Sequence, residues 1–250
     1  MSDTNCPNEL EAFRLLVSAY HPDTLRYPRS EPIATPSERL RLALTWNVFK
    51  TLEQIAPSAW MRRLLAMSAG LPDGYDSAPH MTQVTCWSDL APAPSALLRR
   101  GRRHPVPVSA IIDTDDTVIV VLTPAVTDLH EVVSETKEGG LLDLAEAAAW
   151  LAGARSTYVI VVLPIDADEE VWTSRVRRRA ERVTRVLKSG PKGPANLRGI
   201  GPTTWRALHG LLSEISACRF IDQAEQRHAM TAARWIAARL RPELRRRNLA

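Results

Sequence analysis

The stretch Val106 to Pro124, VPVSAIIDTDDTVIVVLTP, decides the fold. Its first part, Val106 to Ile112, reads as one strand. Asp113-Thr114-Asp115-Asp116 reads as a four-residue polar turn. Thr117 to Leu122 is a mostly β-branched run with no polar face, the pattern of a strand buried on both sides. A short turn between two such runs makes an antiparallel hairpin at the centre of a sheet.

Working outward, Met81 to Trp87 reads as a strand before the hairpin, and Thr157 to Leu163, TYVIVVL, as a buried strand after it. Helices alternate with these runs. Thr35-Pro36-Ser37-Glu38 is a helix start, with threonine as cap and proline at the first helical position. Leu40, Leu44, Val48, Leu52 and Ile55 then recur at helical spacing. A second helix follows Pro57. Leu141 to Ala152 reads as a helix with Leu141, Leu144, Ala148 and Leu151 toward the sheet. Asp166 to Lys188 carries the apolar stripe Trp172, Val176, Ala180, Val183 and Leu187. The segment with Gly199-Ile200-Gly201 reads as a turn leading into a helix that contains Trp205, Leu208, Leu212 and Ile215. A last helix begins near Gln223, and Pro242 bends or ends it. The expected fold is α/β: a central mixed four-stranded sheet, about 81–87, 106–112, 117–122 and 157–163, with helices on both faces. Residues 1–34 are expected to be an N-terminal arm, and residues 35–250 one domain.

The hairpin resembles the catalytic hairpin of the PD-(D/E)XK nuclease superfamily, the restriction-endonuclease-like fold. The order strand–hairpin–helix–strand matches that superfamily's core. The resemblance implies an Asp late in the first hairpin strand and Glu-x-Lys near the end of the second, holding Mg²⁺ and an attacking water. In this chain those positions fall on Ser109, Leu122 and Pro124. None of the three supplies a carboxylate or an amine. The helix residue that borders the scissile phosphate in active relatives corresponds to Asp143, an anion. The resemblance therefore implies a pseudonuclease: no cofactor and no catalytic residue, but a retained scaffold that binds DNA or a partner protein encoded in the same operon. The setting it implies is restriction, anti-phage defence or DNA processing.

Two alternatives stay open. One is an active nuclease whose Mg²⁺ site has migrated to Glu38, Asp113, Asp115, Asp116 or Glu135 with Lys137. Against it, Glu38 already serves a capping box, the turn acids are ordinary turn formers, and Glu135-Thr136-Lys137 lies in a polar segment rather than on a strand. The other is an interaction subunit with no nucleic-acid role.

The 250 residues carry a formal net charge of +4, which mildly favours a polyanionic partner. Two arginine groups stand out as candidate phosphate contacts. One is Arg99, Arg100, Arg102 and Arg103, just before the hairpin. The other is Arg175, Arg178, Arg182 and Arg185, at three- and four-residue steps on one side of a helix. Three dispersed cysteines, no signal-like N-terminus and no long apolar run point to a reduced, cytoplasmic setting with no membrane span. No two of the six histidines have metal-ligand spacing, and no dinucleotide, Walker or nucleophile-elbow motif occurs.

Overall fold

The structure is a computed structural model that describes residues 36–70, 79, 81–94, 105–134, 140–189, 194–218 and 221–247. The expected arm 1–34, the arginines at 99, 100, 102 and 103, and Glu135 and Lys137 lie outside the described residues.

Five strands form one sheet: β1 (Thr82–Leu90), β2 (Val106–Thr114), β3 (Thr117–Leu122), β4 (Ser156–Leu163) and β5 (Leu197–Thr204). Their spatial order is their order along the chain. β1, β2 and β3 pair antiparallel, and β4 and β5 add on in parallel. The sheet is thus mixed and flanked by helices, but it has five strands rather than the expected four. On one face lie α1 (Pro36–Glu53), α2 (Pro57–Met67), α6 (Trp205–Ala217) and α7 (Gln223–Arg247). On the other lie α3 (Val126–Val133), α4 (Leu141–Ala152) and α5 (Glu169–Ser189). Each face buries its own apolar core. Phe49, Trp60, Ile112, Ile119 and Tyr158 belong to the first; Val120, Leu129, Val161 and Trp172 belong to the second.

The central hairpin forms as its sequence dictates, with a tighter turn than the polar run suggests. Asp113 and Thr114 belong to β2, and Asp115-Asp116 alone form the turn. Thr114 closes it: its Oγ1 donates to the Thr117 carbonyl at 2.9 Å and accepts from the Thr117 N–H at 3.0 Å.

The unexpected strand is β5, LRGIGPTT, whose two glycines and proline read locally as a turn. The reason it is a strand is tertiary. The backbone that ends α2 lies flat on it. A Cβ built on Gly199 would stand 2.4 Å from the Ala69 carbonyl oxygen, and one on Gly201 would stand 2.3 Å from that of Ser68. Only glycine permits this approach. Pro202 is tolerable because β5 is an edge strand. Thr204 then caps α6, its side chain accepting from the Ala207 N–H at 3.1 Å.

Three smaller differences follow from packing. Residues 126–133 form α3, a helix for which no expectation is drawn from the sequence. Leu151 is 42% exposed rather than facing the sheet, because α4 buries the row of Ala145, Ala148 and Ala152 instead. Pro242 does not end α7, which continues to Arg247.

At the other edge, α1 seals β1. Lys50 Nζ bonds Glu53 at 2.8 Å and donates to the Val84 carbonyl, while Glu53 Oε1 accepts the Val84 N–H at 2.7 Å. One ion pair thereby satisfies an outward-facing pair of edge groups. Cys86 lies beside it. Burial pushes its thiol up to about 12, opposed by Lys50 and reinforced by Glu53. A raised thiol favours the neutral form, so the stability it contributes is complete below the ordinary value near 9.0 and is lost as pH climbs toward 12. Folded protein at pH 8 is therefore expected to protect Cys86 from iodoacetamide, with alkylation appearing only under denaturant. Peptide mass spectrometry reads this. Rapid native labelling at Cys86 would contradict it.

Candidate functional site

β2 and β3 converge at the open end of the hairpin, and a cleft of about 570 Å³ begins there. Ser109, Leu122 and Pro124, the three positions that the resemblance assigns to catalysis, line this one cavity. Arg41 from α1, Trp87 and Asp89 from β1, and Asp128 and Glu131 from α3 complete its polar lining.

Behind Ser109 lies a buried hydroxyl cluster. The Thr123 N–H and Oγ1–H both donate to Ser109 Oγ, at 2.8 and 2.9 Å. Thr45 Oγ1 stands 3.0 Å from Thr123 Oγ1 and donates to the Arg41 carbonyl at 2.8 Å. The Arg41 guanidinium bonds the Thr123 carbonyl. These hydroxyls are engaged with one another, and leucine and proline offer no donor atom. The side chains of Ser109, Leu122 and Pro124 therefore do not fit Mg²⁺, which is held octahedrally by one or two carboxylates together with waters or substrate phosphates. Among the described residues, no three His, Cys, Asp or Glu side chains converge as a metal-ligand set. Removing the Ser109 hydroxyl would leave the buried Thr123 N–H without its acceptor. Ser109→Ala is expected to lower stability by about 1–3 kcal/mol. A urea titration tests this; a loss under about 0.5 kcal/mol would show that the cluster re-forms without Ser109.

The cleft owes its shape to a change of face in the β1–β2 pair. Ala110 and Ile112 point into one core, whereas Val106 and Val108 point into the other. The reversal falls at Ser109. On β1, Trp87 sits between Cys86, opposite Ala110, and Ser88, opposite Val108, and it holds a left-handed φ of 54°. That conformation is strained for tryptophan. Its ring stacks on Trp46 with centroids 5.2 Å apart, a contact that holds the turned strand in place. Nothing in the local sequence marks Trp87 for a positive φ. Arg41, Thr45 and Thr123 were likewise invisible until the hairpin, α1 and β1 met.

The turn acids lie elsewhere. Asp113 forms a salt bridge with Arg155, which also donates to the Thr114 carbonyl at 2.9 Å. Asp116 Oδ1 lies 3.2 Å from Thr114 Oγ1, and the Asp116 carbonyl accepts the Ser156 N–H. Asp115 is exposed in the turn. All three sit at the closed end of the hairpin, about 17 Å along β3 from the cleft at the usual strand rise. Their contacts fasten β2 to the start of β4. Glu38 falls in the first turn of α1, and Asp143 is buried in the first turn of α4.

The arginine row on α5 is fully displayed. Arg175, Arg178, Arg182 and Arg185 are exposed, while Trp172, Val176, Ala180, Val183 and Leu187 are buried against the sheet. The Arg175 guanidinium lies 5.0 Å from the Trp172 ring centre. No helix among the described residues is long and apolar enough to cross a membrane. No protein-family model matches the chain, nor does any curated protein or solved structure.

Proposed function

We propose that this chain is a nuclease-like scaffold of the PD-(D/E)XK type that has lost cleavage chemistry and binds DNA. One observation carries the first half of the proposal. The residues at the three catalytic positions of the resembled hairpin line one cleft, and they are a serine tied into a hydroxyl cluster, a leucine and a proline in place of a carboxylate pair and an amine. The strand order, an antiparallel meander extended by parallel strands, supports the same kinship. The exposed arginine row supports the second half, because guanidinium groups recurring along one helix side suit a run of phosphates. A migrated catalytic site draws no support from Asp113, which is held by Arg155.

The test has two arms. Supercoiled plasmid incubated with the protein and Mg²⁺ or Mn²⁺ is expected to stay intact. Labelled duplex DNA is expected to bind, with affinity falling steeply between low and moderate salt, and Arg178→Glu with Arg182→Glu is expected to weaken it at least tenfold. Nicking that disappears on substitution of a carboxylate would overturn the loss of chemistry. Absence of salt-sensitive binding would overturn the DNA role.

A further inference from the structure

Among the described residues β5 is the last strand of the sheet, with no strand on one of its sides. Two hollows meet there. The first, of about 590 Å³, runs between the end of α2 and α5, and Arg177, Arg185 and Arg198 line it together with Glu181 and the glycine backbone at 199 and 201. The second, of about 510 Å³, lies at the end of α4 and is lined by Trp150, Asn196 and, again, Arg198. Arg198 therefore borders both.

Trp150 is 60% exposed. A single exposed aromatic is ordinary by itself; what singles this one out is that it borders the same hollow as Arg198. The α4 core does not include it: Leu141, Leu144 and the alanines form the apolar part of that helix's buried side. Asn196 is rigid beside it: its amide donates to the Ala149 and Gly153 carbonyls, both at 2.9 Å. The surface thus offers an exposed aromatic ring, then a guanidinium, then two more guanidiniums about 12 Å apart along α5. Single-stranded nucleic acid is held by this combination, aromatic rings for its bases and basic side chains for its phosphates. The α5 helix concentrates the charge, with seven basic and three acidic residues in 21 positions. By contrast, the mouth of the cleft at the hairpin carries exposed Asp89, Asp128 and Glu131, which repel phosphates.

We propose that the β5 edge binds single-stranded nucleic acid, with an unpaired base stacked on Trp150 and the following phosphates held by Arg198, Arg177 and Arg185. This rests on the nucleic-acid reading above but moves the strand away from the cleft of the resembled enzymes.

The experiment compares a labelled single-stranded oligonucleotide with its duplex by fluorescence anisotropy on the full chain. Trp150→Ala is expected to weaken single-strand binding about tenfold and to leave duplex binding within a factor of two. Trp150→Phe is expected to restore most of the loss. Arg177→Glu with Arg185→Glu and Arg198→Glu is expected to weaken both and to reduce the single-strand salt slope by roughly two. All four residues are exposed, so the variants are expected to melt like the parent, which a thermal scan checks. Duplex binding with no effect of Trp150→Ala on the single strand would sink this proposal while sparing the DNA role. Binding of neither form would sink both. Loss of self-association in Trp150→Ala, with single-strand affinity unchanged, would reassign the ring to a protein interface and overturn the proposal.

Discussion

Trp60→Ala is expected to remove about 3–5 kcal/mol of folding stability, the range for deleting a large buried aromatic. Trp60 is fully buried at the centre of the first core, between α2 and the elements around it. Its Nε1–H donates to the Ile55 carbonyl at 3.1 Å, bridging the break between α1 and α2. The substitution therefore opens a cavity and also frees a carbonyl at the end of a helix. With total stabilities of about 5–15 kcal/mol for typical domains, that loss is a large fraction of the whole. The melting temperature is expected to drop by about 10 °C or more. Trp60→Phe should recover much of the packing and none of the hydrogen bond, so an intermediate value is expected. A Trp60→Ala loss below about 2 kcal/mol would mean that the two helices are joined less tightly than their geometry indicates.

Gly201→Val comes second. Any side chain there meets the Ser68 carbonyl oxygen, 2.3 Å from an ideal Cβ, and the obstacle is backbone, which cannot rotate away. Overpacking of this kind costs about 1–3 kcal/mol and sometimes more. A β-branched residue is placed at the upper end, so a loss of at least 3 kcal/mol is expected, read by chemical denaturation. Gly210, whose added Cβ meets nothing within 4 Å, is the control. Gly210→Ala in the middle of α6 is expected to be neutral or slightly stabilising, because alanine favours helix over glycine. Equal effects at the two positions would refute the close approach of residues 68–69 to β5.

These two positions also show where local sequence is informative and where it is silent. The run Val118 to Val121 has no polar member, and it became a fully buried central strand. The stripe from Trp172 to Leu187 became the buried side of α5. In both cases the pattern within the segment sets the outcome. β5 is the opposite case. Glycine and proline are breakers by local propensity, and only the chain returning at Ser68 and Ala69 makes them necessary. The candidate site divides the same way. Hairpin pairing alone brings Ser109 near Leu122 and Pro124. The partners that close the hydroxyl cluster come from α1, 64 and more residues away, and no spacing rule reaches that far. The pairing of Asp113 with Arg155, across 42 positions, is equally long-range. The exposure of Trp150 depends on which side of α4 meets the sheet, and alanines decide that more weakly than leucines would.

The first core has a further consequence for synthesis. It is built from both ends of the described chain: α1 and α2 precede every strand, and α6 and α7 follow all of them. The second core draws its helices from the middle alone. A nascent chain leaving the ribosome can add strands one by one in order, since none must be inserted between two already placed. Until residues 205–236 emerge, however, the first core lacks the side chains from Trp205 to Ile236. In that interval the core that holds Tyr158, Ile160 and Val162 is incomplete, and a holdase chaperone would find apolar surface to bind.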